Sequence, residues 1–340
     1  MKHKIIIFSI SSLVLLMTGC APFQQLPERI TQQVTQEFEQ QKKQLVTRSL
    51  SLIPSKKVTA EEIREVEKEV VELINQDRQK NGLNSVVWDQ TAADAARMHV
   101  QEEADYGYIS HWTMEGVKPQ RRYTLGGGLD AVQENQSVTL WLNDGFKGIS
   151  KEELSKVVAE HQASMVNEQP PEDGHRKNIL EPHHTGVGVA ISVGKYGVAM
   201  AQEFTNHYIE MQPVPKTASP GTKITLAGKV LPGYTLTGIY ALWEALPQPL
   251  TKEELMQTHS YGGPPSDNLY FWARPKAAGY YIATKSGNIM ATNVTVDKNG
   301  NFTLQVPLSE KHQLDYISIE VAPSANTKDQ FIAAEFVLQH

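Results

Sequence analysis

The run Gly186-Val187-Gly188-Val189-Ala190-Ile191 limits more than any other what this chain can fold into. Its β-branched residues alternate with glycines. The branched side chains favour a pleated, buried strand, and the glycines allow another element to approach closely. The run therefore reads as a central strand with something packed tightly on it. Directly ahead lies a polar stretch, Glu172-Asp173-Gly174-His175-Arg176-Lys177-Asn178-Ile179-Leu180-Glu181-Pro182. A titratable His just before a central strand sets chemistry at the rim of a core, while a lone His in a turn is by itself only a turn residue.

The elements around this strand can be read from pattern. Thr59-Ala60-Glu61-Glu62 fits a capping box, and Ile63, Val66, Val70, Leu73 and Ile74 share one face of the helix that follows. Asn81-Gly82 stops that helix. Val86-Val87-Trp88 is a short strand, and an Ala-rich helix, 92–103, has side chains small enough for close packing. Ser110-His111 follows in a loop. Arg121-Arg122 and the turn Gly126-Gly127-Gly128 lead to Gln133-Glu134-Asn135, placed in a second loop. No Lys-Ser or Lys-Thr pair follows the three glycines, so they form a turn and not a phosphate loop. Residues 151–166 read as a helix with Leu154, Val157, Val158 and Met165 toward the core, and Glu168 lies at its end. After the Gly-Val-Gly-Val strand, Lys195-Tyr196-Gly197 turns the chain back into a partner strand, 198–204.

Taken in this order, several segments resemble the CAP superfamily. They are Leu73-Ile74-Asn75-Gln76-Asp77-Arg78, Ser110-His111, Gln133-Glu134-Asn135, Met165-Val166-Asn167-Glu168, Gly174-His175-Arg176-Lys177-Asn178-Ile179-Leu180 and Gly186-Val187-Gly188-Val189. That family includes cysteine-rich secretory, antigen and pathogenesis-related proteins, with a large bacterial branch. The resemblance covers residues 59–208 and implies an α-β-α sandwich. It also implies a cleft with two His and two Glu, carried here by His111, Glu134, Glu168 and His175. Gln133 replaces the family's usual Gly, and Met165 stands in the aromatic place of the helix-end motif. Glu160-His161 and His183-His184 look like additional ligands; His161 and His184 are assigned surface and packing roles instead.

Two imidazoles and two carboxylates suit a divalent metal, with zinc the default for mixed nitrogen and oxygen ligands. Such binding needs neutral His and ionised Glu, so affinity should fall with pH through the His range. The same set could position a water for metal-assisted hydrolysis, or simply brace the loops through hydrogen bonds. Neither a Gly-X-Ser-X-Gly elbow nor a His-Glu-X-X-His helix occurs, so no catalytic residue is assigned.

At 340 residues the chain has length for about two domains. A formal net charge of -6 offers nothing to nucleic acid. The single cysteine, Cys20, rules out an intrachain disulfide framework. Met1-Lys2-His3-Lys4, an apolar run over 5–17 and Thr18-Gly19-Cys20 form a signal peptide. Leu16-Met17-Thr18-Gly19-Cys20 resembles a bacterial lipobox, which implies cleavage before Cys20 and lipidation of its thiol. Residues 20–57 then form a stalk rich in Gln, Glu and Lys, helical over 28–48.

Prolines at 213, 215 and 220 mark a linker over 211–221 between the CAP domain, 58–210, and a last domain, 222–340. There short alternating runs predict strands at 223–230, 234–243, 269–273, 280–284, 290–296, 301–306, 316–321 and 331–338, with a short helix at 251–258. Asp297-Lys298-Asn299-Gly300 reads as a hairpin turn. This is an all-β, immunoglobulin-like sandwich, so the fold class is α+β. Tyr261-Gly262-Gly263-Pro264-Pro265, with Tyr270, Phe271 and Trp272 nearby, is assigned to core packing ahead of an aromatic binding surface.

The functional expectation is a lipoprotein of the bacterial cell envelope, anchored outside the cytoplasm through Cys20. Its CAP cleft takes a small ligand or a divalent metal, zinc by default. The expected partners are the membrane and a small hydrophobic ligand or envelope component. A hydrolase using the same cleft, and an adhesion or scaffold protein acting through the β domain, are the competing readings. Binding is favoured over catalysis.

Overall fold

The computed structural model describes residues 5–8, 58–141, 146–215, 217–258, 260–261, 268–272, 281–284, 287–290 and 292–340. The stalk, the lipobox and most of the signal peptide lie outside them.

The first domain is a five-stranded sheet between helices. Its strands run β1-β3-β5-β4-β2, with β1 Ile5–Phe8, β2 Val87–Trp88, β3 Ala131–Leu140, β4 Gly186–Val193 and β5 Gly197–Asn206. All neighbours are antiparallel except β2 and β4. Part of the apolar stretch expected to be a signal peptide thus supplies an edge strand beside β3.

Helix α1, Ala60–Lys80, begins at the expected capping box: Thr59 Oγ1 accepts from the Glu62 amide, and Glu62 accepts from the Thr59 amide. Its Ile63, Val66, Val70 and Ile74 are buried with Leu154, Val158 and Met165 of α4, Lys151–Val166, against Val187, Val189 and Met200 of the sheet. Full burial of each such side chain contributes about 1.5–3 kcal/mol. On the other face lie α2, Gln90–Tyr106, and α3, Pro119–Gly126. The small residues of α2 and the glycine of β4 fit together. A Cβ on Gly188 would lie 2.1 Å from the Ala93 nitrogen and 2.5 Å from the Ala92 carbonyl carbon. The helix can rest on the strand only because that Cβ is missing.

Some expectations need correction. Gln133-Glu134-Asn135 lies inside strand β3 and not in a loop. The flanking glycines and mixed polarity hid a strand whose polar side chains face a buried network. Gly174 opens a helix, α5, Gly174–Ile179, where a turn was expected, and α3 was not foreseen. His161 and His184 are both buried, so neither has a surface role. His161 bonds Ser137 Oγ at 2.9 Å and Thr139 Oγ1 at 2.7 Å. His184 stacks on Phe204, ring centroids 5.0 Å apart.

The second domain opens with β6, Ile209–Met211, just before the proline-rich segment. One sheet has the order β13-β7-β6, with β7 Lys223–Val230 and β13 Asn301–Pro307. The other has the order β12-β9-β8-β14-β15: β8 Tyr234–Glu244, β9 Asn268–Trp272, β12 Thr292–Asn293, β14 Leu314–Pro323 and β15 Phe331–Gln339. Leu226, Ile239, Ile317, Ile319, Phe336 and Leu338 fill the space between them. Strands β10, Tyr281–Thr284, and β11, Gly287–Met290, pair with each other as a separate two-stranded sheet, and β12 pairs with β9. Asp297 accepts from the Asn299 and Asn301 amides, the hairpin turn as read. The expected short helix is α6, Lys252–Leu255, within the β8–β9 connection.

Candidate functional site

His111 is set by the loop that leaves α2. Gly107 turns the chain with φ 72°, a conformation glycine adopts without a Cβ penalty. Two buried side chains of α2 then hold Ser110: Glu103 accepts from its amide at 3.0 Å, and His99 Nε2 meets its carbonyl at 2.5 Å. The next residue, His111, points its Nδ1 at Glu134 Oε1, 2.8 Å away on β3.

Glu134 is held from three sides. Arg122 of α3 donates from Nη2 to its other oxygen, Oε2. The same guanidinium reaches Glu203 at 3.3 Å and the carbonyls of His111 and Val117 at 2.9 and 3.2 Å. Glu203 lies directly across the ladder from Glu134. Two carboxylates so close cannot both ionise cheaply with one cation. Burial, then the charge of Glu134, pushes Glu203 well above the ordinary range, which favours its neutral form. Burial would raise Glu134 too, but Arg122 and the His111 hydrogen bond outweigh it, and its pKa is lowered. The network is an ion pair, Arg122 with Glu134, buttressed by a neutral acid. An ionised carboxylate only accepts, so His111 Nδ1 carries a proton.

His175 forms a second pair with Glu168. Glu168 Oε1 meets His175 Nδ1, while its Oε2 accepts from the His175 amide at 2.9 Å and the Arg176 amide at 3.3 Å. Glu168 therefore ties the first turn of α5 and fixes the ring that α5 carries. Asn135 joins the pairs: its Nδ2 donates to the His175 carbonyl at 3.3 Å, and its Oδ1 accepts from Asn178 at 2.9 Å.

A cavity of about 250 Å³ opens beside the first pair. Its wall is His111, Gln133, Glu134, Asn135, Pro171, Asp173, Gly174, Lys177, Asn178, Glu181 and Tyr261. His175 and Glu168 are outside that wall, next to Gly174. The structure thus arranges the four expected residues as two His–Glu pairs, one on the cavity and one behind its rim.

The donor set does not fit a metal ligated by all four side chains. Both Glu134 oxygens and both Glu168 oxygens already accept hydrogen bonds within the protein. Among the described residues no group of three or more His, Cys, Asp or Glu is gathered to hold an ion. Each carboxylate acts as the orienting partner of an imidazole, the role such groups take behind ligating histidines.

Three residues of this site escaped the sequence reading. Arg122 was noted only as half of an Arg-Arg pair. Glu203 was a visible signal, the one charged residue in the strand Gly197–Asn206. Tyr261 comes from the second domain, and spacing alone could not bring it here.

An α-β-α sandwich carrying paired His and Glu at one sheet end defines a CAP-type domain. Residues 71–208 match the model of the cysteine-rich secretory protein family, CAP. Among curated proteins, the Bacillus subtilis (strain 168) protein named "Uncharacterized protein YkwD" is 32% identical over 126 residues, 36% of this chain and 41% of its own length. Among solved structures, an extracellular protein containing a SCP domain from Bacillus anthracis str. Ames is 26% identical with a TM-score of 0.34, over 45% of each chain. An outer surface protein from Borrelia burgdorferi is 16% identical with a TM-score of 0.32, covering 42% of this chain and 93% of its own. The chain therefore spans less than half of its Bacillus relatives. Among the described residues no helix is long and apolar enough to cross a membrane.

Proposed function

We propose that this chain is an extracytoplasmic binding protein whose CAP cleft holds a small polar ligand against His111. The observation that carries the reading is the His111–Glu134–Arg122 chain on a cavity of about 250 Å³. Such a locked imidazole is pre-organised, so a ligand need not pay for ordering it. The wall residues are mostly charged or amide side chains, which favours a polar ligand over the hydrophobic one expected from the sequence. The relatives titled extracellular and outer surface proteins agree with a place outside the cytoplasm. The lipobox-like segment supports an acyl anchor on Cys20, whose processing would remove β1 and open the β3 edge. A divalent ion is the second reading. Zinc in the cavity would be held by the imidazole of His111, with Glu134 as its orienting partner and not as a ligand.

Ligand-observed NMR with a library of small polar compounds tests the reading on the whole chain. Hits lost in His111→Ala but kept in a His207→Ala control support it. A library that binds neither protein, or both equally, contradicts it. For the anchor, Cys20→Ser should move the protein from the membrane fraction to the soluble fraction. Unchanged membrane association would contradict lipidation at Cys20.

A further inference from the structure

The β8–β9 connection of the second domain crosses onto the CAP domain and is fastened there at several points. The Leu250 amide donates to the Met114 carbonyl at 2.7 Å, and Lys252 Nζ donates to the Tyr106 carbonyl at 2.9 Å. Further along, Thr258 Oγ1 meets Ser110 Oγ at 2.9 Å, and the Ser260 carbonyl accepts from Trp112 Nε1 at 3.1 Å. These last two contacts lie on the residues either side of His111. Close packing continues at Gly116, where a Cβ would sit 2.7 Å from the Gln248 carbonyl oxygen. The connection is a strap laid along the 106–116 loop.

The strap ends on the cleft. The Tyr261 ring stands edge-on to His111, with centroids 5.0 Å apart and planes at 85°. Its ring forms part of the cavity wall. A phenol ring seated edge-on presents a broad apolar surface with a polar tip. Anchors at 258 and 260 keep it from swinging away.

We propose that Tyr261 is the specificity-determining wall of the cleft, so that the ligand site is a composite of both domains. The inference rests on the binding reading above. Tyr261 shares the cavity wall with His111, so a ligand held against the imidazole also meets the Tyr261 ring, and molecules too large for the space the ring leaves are excluded. The second domain is therefore part of the recognition apparatus of the first.

The test uses diethyl pyrocarbonate, which acylates accessible imidazoles, with the site of reaction read by mass spectrometry. His207, half exposed, serves as the internal rate standard, and the buried His161 and His184 report unfolding. In the whole chain, Tyr261→Ala should raise the His111 rate relative to His207 at least about tenfold, as a closed position becomes directly accessible. Tyr261→Phe should stay within about twofold of wild type, since the ring remains. The same Tyr261→Ala protein should bind p-cresol, the lost side chain, with a shift of the His111 ring resonances that wild type does not show. An unchanged His111 rate in folded Tyr261→Ala, or p-cresol binding without a His111 shift, overturns the proposal. If Tyr261→Ala unfolds, seen as His161 and His184 reacting at the His207 rate, Tyr261→Leu carries the test with the same two outcomes. The reagent needs no natural ligand. A cleft that opens in this assay yet binds nothing in the library sinks the binding reading and leaves the wall standing.

Discussion

Replacing Arg122 by Met removes the only positive charge that hydrogen-bonds to Glu134 among the contacts described, and keeps most of the side-chain volume. Arg122 is 5% exposed and donates to two carboxyl groups and two carbonyls. Breaking a buried ion pair from one side costs about 3–5 kcal/mol, because a charge is left uncompensated. For a domain of this size each kcal/mol moves the midpoint by about 2–4 °C, so the expected fall is roughly 6–20 °C. Glu134→Gln should be milder, about 1–2 kcal/mol, for a specific reason. With Glu134 neutral, Glu203 loses the charge that helps keep it protonated, ionises, and takes over Arg122. The double variant should then be more stable than the summed single effects imply, by about 2 kcal/mol of coupling. Differential scanning calorimetry on the four proteins at pH 7 measures this. A fall below 2 °C for Arg122→Met, or additive single effects within about 0.5 kcal/mol, would refute the account of a carboxyl pair sharing one cation.

Other groups give pH signatures. Burial, then the charge of Glu115, raises Glu102 to about 7, above its ordinary 4.5. Folding therefore favours its protonated form; that stability is full below pH 4.5 and is lost as pH rises through about 7. Glu102→Gln, which mimics the protonated acid, should flatten the decline in the urea-unfolding free energy between pH 5 and 8 by on the order of 3 kcal/mol. An unaltered slope would contradict it. Burial lowers His184 to about 3 from 6.5, so its contribution is complete above pH 6.5 and is lost as pH falls toward 3. His184→Phe keeps a ring against Phe204 but cannot take a proton. It should be less stable than wild type at pH 7, by about 1–3 kcal/mol for the one Asn oxygen that the neutral ring's single N–H serves, yet lose less between pH 6 and 4. Equal acid slopes for the two proteins would contradict this.

The fold was legible where one periodicity ran unbroken. Helices α1 and α4 and the β4–β5 hairpin could be read because their caps, apolar faces and turn residues agree. Gly188 and the alanines of α2 also announced their close packing from two separate places in the chain. What hid was structure whose reasons are non-local. Strand β3 carries Glu134, Asn135, Gln136, Ser137 and Thr139 as buried residues, so no alternation of polarity marks it. Its polar side chains are buried because Arg122, His161 and Asn178 come to meet them, and those partners lie on three other elements. His111, Glu134, Glu168 and His175 could be picked out by motif. Their division into two pairs could not, because it depends on where Arg122, Glu203 and the α5 amides sit. Tyr261 was visible only as an aromatic in a Gly-Pro stretch, since the strap that delivers it is recognisable only once both domains are in place.

The account depends most on the two imidazoles being fixed through Nδ1 by carboxylates. Long-range ¹H–¹⁵N correlation of the histidine rings reads this directly, with His111→Ala and His175→Ala used for assignment. Both rings should carry a proton on Nδ1, with the His111 signal perturbed in Glu134→Gln and the His175 signal in Glu168→Gln. Rings protonated on Nε2 alone, and indifferent to those substitutions, would contradict the pairing on which the cleft, its ligand and the role of Tyr261 all rest.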